Sequence, residues 1–156
     1  MDKIIIKKSN TADTRTCDWT KITKEQLLES SKSHIEDVRK GILALIDELQ
    51  TAAIKHDHTK IESIDLFHAD FKTGFKNTTW WEMHQRVERH HFNNSEFAQD
   101  DINLIDVLEQ IIDGVMAGMA RSGTYRKEVP SPELLVKAYE NTAKMLLDKI
   151  EVLDEV

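Results

Sequence analysis

The stretch His34–Lys60, HIEDVRKGILALIDELQTAAIKHDHTK, decides how the chain is read. Ile35, Val38, Ile42, Leu45, Leu49, Ala52 and His56 recur at alternating steps of three and four, which is one face of a helix. Only Gly41 interrupts the run, and one glycine costs about 1 kcal/mol without ending a helix. The spacing predicts a long helix over 33–55 that ends where His56, Asp57 and His58 crowd together. Two of the seven histidines thus flank one aspartate at a helix corner, with Lys60 three residues on. Either that corner is a solvated surface, or His56 and Asp57 hold a metal ion.

Working outward, residues 3–7 fit a short strand, and SNTADTRTCDWT reads as a loop of turn-forming residues. Beyond the corner, IESIDLFHADF predicts a shorter helix closed by Gly74. WWEMHQRVERHHF predicts another, capped by Thr78 or Thr79. Asp100 or Asp101 is expected to cap a helix over 102–120. Ser131 should cap a last one, with Pro132 at its first position, running to about Leu153. No repeat or second domain is visible. The expectation is an all-α fold, a single compact domain of five or six helices over 1–156, with 1–22 as an extended N-terminal segment and 23–156 as the helical core.

Composition narrows the function. With 40% hydrophobic residues, 5 Gly and 2 Pro, the chain is too apolar for disorder and too poor in turn residues for a β-protein. A net charge of -7 argues against stable nucleic-acid binding, which needs a cationic face. The single Cys17 excludes an internal disulfide and fits a reducing compartment. No run approaches the ~18 apolar residues of a membrane span, and MDKIIIKKSN is too short an apolar run for a signal peptide. These features predict a cytoplasmic chain without a membrane partner.

The segment 102–120 is apolar almost all round, as expected of a helix in the centre of a bundle. Asn103, Asp106, Gln110 and Asp113 nevertheless form a narrow polar stripe, with Glu109 on its flank. The stripe is either a solvated edge or a row of carboxylates directed at a buried ion, since buried charges persist when paired or metal-bound. Gly114 and Gly118 would let another backbone approach closely. In HQRVERHH, a helix puts His84, Glu88 and His91 on one side and His90 roughly 100° away. Imidazole and carboxylate are the usual ligands of first-row divalent ions. His68 reads as a packed or surface histidine, and Trp80 and Trp81 as packing rather than a base-stacking platform.

These residues resemble a known family. HDHTK (56–60) resembles the HD-x-x-K signature of the HD-domain phosphohydrolases, and RHH (89–91) resembles the paired histidines of their HD-GYP branch. IIDGVMAGMARSGTYRK (111–127) resembles the later helix whose aspartate completes the metal site and whose end carries a basic, Tyr-containing turn. The overall layout, from NTADTR to AGMARSG, is also similar to proteins of tailed bacteriophages, which would place the chain in a host cytoplasm. The resemblance implies an HD-domain-like helical fold and one or two divalent ions, with Mn, Fe, Zn, Co, Ni and Mg all open. The implied reaction is hydrolysis of a small phosphate ester, above all a mono- or cyclic nucleotide. It makes His56 and Asp57 the doublet ligands, His84, His90 or His91 further ligands, and Asp113 the closing one. Asp57 and Lys60, with Arg121 or Arg126, would act on the phosphate, and Asp106 or Glu88 would orient ligands.

The family also carries an earlier histidine, for which His34 is the candidate. On an unbroken helix, 22 residues from His56 amount to about 33 Å, so either the helix breaks near Gly41 or His34 is not a ligand. Two rivals stand beside this reading. A ferritin-like di-iron protein needs two Glu-x-x-His pairs, and only Glu88 with His91 is found. A non-enzymatic helical interaction protein with a structural metal stays open, as does a homo-oligomer.

Overall fold

The computed structural model describes residues 3–11, 13–77, 79–93 and 96–153. Among these residues, six helices and two strands follow one another: β1 (Ile4–Lys7), α1 (Lys24–Lys55), α2 (His58–Glu62), α3 (Ile64–Phe71), α4 (Thr79–Val87), α5 (Leu104–Ser122), α6 (Pro132–Leu147) and β2 (Ile150–Leu153). The helical character and a short strand within residues 3–7 are as expected; the second strand, and the small sheet it completes, are additions. Packing divides the chain into two compact units, Met1–Asp47 with Lys144–Val156, and Glu48–Ala143.

In the first unit β1 runs parallel to β2, with Ile4 opposite Ile150 and Lys7 opposite Leu153. The last helix therefore stops at Leu147 rather than near Leu153. Alternation of Ile150, Glu151 and Val152 has the period of a strand, and its β-branched residues suit a pleated partner. Helix α1 starts at Lys24, before the predicted 33. Thr23 and Gln26 explain the start: Thr23 Oγ1 accepts from Gln26 N at 3.2 Å and Gln26 Oε1 accepts from Thr23 N at 3.0 Å. That reciprocal pair is a capping box. The helix continues unbroken through Gly41.

The second unit is organised around Phe92, Ile102, Val107 and Ala138, with Leu134 and Leu135 packed against them. The cap of α5 is Asn103 rather than Asp100 or Asp101. Its side chain accepts from the backbone of Ile105 and Asp106, and Asp106 returns a bond to Asn103 N, satisfying the helix's first free N–H groups reciprocally. At α6 the expected cap is present, with Leu134 N donating to Ser131 Oγ. Of the caps considered for α4, Thr78 lies outside the described residues. Helix α5 is not buried all round: Ile112, Met116 and Met119 are more than half exposed. The side that turns inward carries the polar stripe, with Asp106 and Gln110 both buried.

Gly114 and Gly118 admit a close backbone, as the sequence suggested, and it is the chain's own return. Gly123 takes the left-handed conformation (φ 66) that reverses the chain after α5. Arg126 N then donates to Gly114 O at 3.1 Å. A Cβ on Gly118 would lie 2.3 Å from Thr124 O, whereas one on Gly41 meets nothing within 4 Å. Gly118→Ala should therefore destabilise the fold by about 1–3 kcal/mol, while Gly41→Ala should stabilise it by about 0.5–1 kcal/mol. Thermal melts checked by circular dichroism should move in opposite directions; a shared direction would contradict the close approach.

Candidate metal centre

Helix α1 ends in a corner made by one residue. Asp57 takes the left-handed conformation (φ 55, ψ 22) and opens α2 without capping it through its side chain. Aspartate tolerates that region better than most residues, and the turn points its carboxylate into the second unit. Lys60 Nζ donates to Asp57 Oδ2. The other oxygen, Oδ1, is buried and has no hydrogen-bond partner among the described residues. Around it stand imidazole nitrogens: His84 Nε2 lies 3.4 Å and His90 Nε2 3.7 Å from Oδ1, and His56 Nε2 lies 3.5 Å from Oδ2. His91 Nε2 is 3.0 Å from His84 Nε2, and Asp113 Oδ1 is 3.8 Å from His56 Nε2.

The histidines are not arranged as a single helix would place them. Helix α4 stops at Val87, so His90 and His91 lie in the following turn instead of on the face predicted for 80–92. Two anchors hold that turn. Arg89 makes a bidentate pair with the buried Asp106, Nε to Oδ1 at 2.7 Å and Nη2 to Oδ2 at 2.8 Å, and Phe92 is 1% exposed in the core. Released from helical spacing, the adjacent rings of His90 and His91 come to 4.2 Å between centroids. His84 is fully buried and stacked on Trp80 at 4.7 Å. Trp80 itself stacks on Phe67, which is the packing role expected of it.

The hydrogen bonds behind the rings decide which nitrogen faces the site. Glu109 Oε1 lies 2.8 Å from His56 Nδ1 and 3.0 Å from His90 Nδ1. An ionised carboxylate only accepts, so both Nδ1 atoms donate and both Nε2 atoms are turned toward the site. His84 is held by a relay: Thr59 Oγ1 donates to Glu88 Oε1 at 2.6 Å, and so accepts from His84 Nδ1 at 2.7 Å. Glu88 also accepts from Thr59 N at 2.9 Å and is 4% exposed. Carboxylates behind Nδ1, with Nε2 bare, are how metal-binding histidines are commonly oriented.

Electrostatics reinforce this arrangement. Burial pushes His84 down to about 4. Burial, followed by the neighbouring charges of His90 and His84, pushes His91 down to about 3. Burial also opposes charge on His90, but the hydrogen bond and charge of Glu109, then Asp57 and Asp113, raise its pKa. For Asp57 burial works against ionisation, yet the hydrogen bond and charge of Lys60, with His56 and His90, keep it below the usual range. Glu109 is lowered in the same way, its burial outweighed by His90 and His56. Neutral His84 and His91 beside the ionised Asp57 carboxylate are donors that could hold a metal ion. Bonds of about 2.1 Å give ligand separations of about 3.0 Å in an octahedron and about 3.4 Å in a tetrahedron. The separations of 3.0 and 3.4 Å about His84 fit that range. An ion would also give the orphaned Asp57 Oδ1 the partner it lacks.

Among the described residues, three overlapping groups could hold an ion: His56, Asp57 and Asp113; Asp57, His84 and His91; and His56, His90 and Glu109. Together they contain His56, Asp57, His84, His90, His91 and Asp113, the six donors expected from the sequence, and Glu109, which it placed only on the flank. Thr59 was missed, because nothing local links it to Glu88, 29 residues away. His34 on α1 and the exposed His68 on α3 belong to none of these groups. Asp106 orients Arg89 rather than a histidine.

His90, His91 and Asp113 also line a cleft of about 180 Å³ together with Trp81, Gln110 and Arg126. The return along Gly114 brings Arg126 there. Arg121, exposed in the last turn of α5, is not among its lining residues. Lys60 is engaged by Asp57. No family model, curated protein or solved structure matches the chain.

The pKa shifts set an acid response for the metal-free protein. His84 and His91 are held below their unfolded value of 6.5, so the unfolded chain binds protons first and stability falls with pH below 6.5. Asp57 and Glu109 extend the loss at lower pH, while His90, shifted up, opposes it. The urea midpoint in the presence of chelator should be lower at pH 5 than at pH 7; an equal or higher midpoint would contradict the assignment of neutral His84 and His91.

Proposed function

We propose that the Glu48–Ala143 unit is a metal-dependent phosphohydrolase of HD-domain type, acting on a small phosphate ester such as a mono- or cyclic nucleotide. One observation carries this reading: three Nε2 atoms surround the partly buried Asp57 carboxylate, and each ring is held from behind through Nδ1. Asp57, His84 and His91, with His56 and Asp113 on the other side, would hold one or two ions of the Mn, Fe, Zn, Co, Ni or Mg class. When bound, such an ion supplies charge against phosphoryl oxygens and lowers the pKa of water towards neutrality.

The remaining work falls to the chain itself. Lys60 keeps Asp57 ionised and aimed. Glu109 and the Thr59–Glu88 relay fix the tautomers, so no reorganisation is needed when a ligand arrives. Arg126, in the cleft wall beside His90, His91 and Asp113, offers a guanidinium whose fork matches phosphate oxygens. A site holding a structural ion alone has no need of an arginine-lined cleft beside it, which is why catalysis is favoured over a purely structural metal.

Protein loaded with Mn²⁺ and assayed on a panel of nucleoside monophosphates, cyclic nucleotides and sugar phosphates tests this reading. His56→Ala and Asp113→Asn should lower metal content and hydrolysis together, by about 10-fold or more. Arg126→Ala should keep the metal and cut hydrolysis by about 100-fold, and His34→Ala should change neither. Full occupancy and activity in Asp113→Asn, or no hydrolysis of any phosphate ester by loaded wild type, would sink the proposal.

A further inference from the structure

Helix α1 carries an apolar stripe on a side that its own unit does not cover. At about 100° per residue, Leu27, Leu28, Ile35, Val38, Ile42 and Ile46 fall within about 100° of one another around the axis. Each is between 43% and 65% exposed. Between Leu27 and Ile46 the same arc holds only Ser31 and Leu45 besides, so no charge interrupts it. The contacts of the helix within the unit lie on another side. There Ser30 Oγ is 2.5 Å from Thr11 Oγ1, Lys40 Nζ donates to Ile5 O at 2.9 Å, and Ala44 is buried.

Among the described residues of Met1–Asp47 and Lys144–Val156, Ala44 is the one buried hydrophobic residue. A two-stranded sheet adds little stability of its own. This unit therefore leaves in water the kind of apolar stripe that a helix ordinarily turns into a core. The six side chains expose on the order of 600 Å², as much as the largest apolar patch of a typical monomer. With its flanks the face reaches about 800 Å², which is what a standard interface takes from each partner.

The spacing indicates what covers it. Leu28, Ser31, Ile35, Val38, Ile42 and Leu45 alternate steps of three and four, the 3.5-residue repeat at which two helices keep one seam in contact. Ile35 and Ile42 take one position of the repeat and Val38 and Leu45 the other, a combination suited to paired helices. A helix surface is convex, and the ridges and grooves that fit it are those of another helix. In a pair related by a two-fold axis, residues near the axis meet their own copies. A charged seam would set like against like there, whereas a charge-free seam is compatible with itself. We infer that the chain forms a homodimer in which the α1 stripe of one protomer packs on the same stripe of the other. None of the proposed metal ligands lies on this stripe, so the pairing stands apart from the phosphohydrolase reading.

Sedimentation equilibrium of the full chain at micromolar concentration, in the presence of chelator, tests the pairing without involving a metal. Wild type should have twice the chain's 18.0 kDa. Ile35→Glu and Ile42→Glu should each weaken the dimer by about 100-fold or more, because each puts two like charges into one seam. Their helical circular dichroism should stay close to wild type, since both side chains are exposed within the protomer. Should either variant fail to fold, Ile35→Ser removes apolar surface without adding charge and should weaken the dimer by about 10-fold. Met116→Glu, on the exposed side of α5, is the control and should remain dimeric. A monomeric wild type, its stripe covered within the chain or by another protein, would overturn the proposal. So would a dimer that Ile35→Glu and Ile42→Glu leave intact, or one that Met116→Glu alone dissolves.

Discussion

A single, partly buried carboxylate organises the second unit. Asp57 is turned inward by a left-handed corner and tied to Lys60 on one oxygen, while the other has no hydrogen-bond partner among the described residues. A charge so placed is costly unless something answers it. Around it are imidazoles from three parts of the chain: the end of α1, helix α4, and the turn after α4. Each feature that matters nearby can be traced to keeping that carboxylate ionised and those rings aimed at it.

The aim comes from carboxylates that do not touch Asp57. Glu109 holds His56 and His90, and Glu88 holds His84 through Thr59. Arg89 does comparable work on the backbone, because its pairing with Asp106 fixes the turn from which His90 and His91 project. Asp106 in turn closes the capping box of α5. The start of α5, the turn after α4 and the ring positions are therefore one connected network. Loosening Arg89 would be felt at His90 without any ligand being changed.

Much of this was legible in the sequence, and the reasons differ by residue. The corner at Asp57 could be read because a run of three- and four-residue steps reaches His56 and then stops. The candidate donors could be read from clustering: His84, His90 and His91 fall within eight residues, in a chain that also carries His56, Asp57 and a stripe containing Asp113. The end of α4 could not be read, because VERHHF keeps a helical composition and its termination depends on Arg89 meeting Asp106, 17 residues on. β2 was hidden for the same reason: IEVL continues a helical pattern until a parallel partner, IIIK, is brought beside it. Apolar content alone likewise could not show that the polar stripe of α5 faces inward while Met116 and Met119 are exposed. The caps at Thr23 and Asn103 rest on reciprocal partners three residues on, whereas the spacing of apolar residues began the first helix near 33 and pointed to Asp100 or Asp101 for α5.

The most direct test is the position of an ion. Anomalous diffraction above the manganese edge, from crystals grown with Mn²⁺ and without chelator, reports it independently of activity. The expected result is a strong peak within about 2.3 Å of an Asp57 carboxylate oxygen and in bonding reach of His84 and His91 or of His56 and Asp113. A fully ordered Asp57 with no peak beside it, or manganese bound only elsewhere on the chain, would contradict the metal centre.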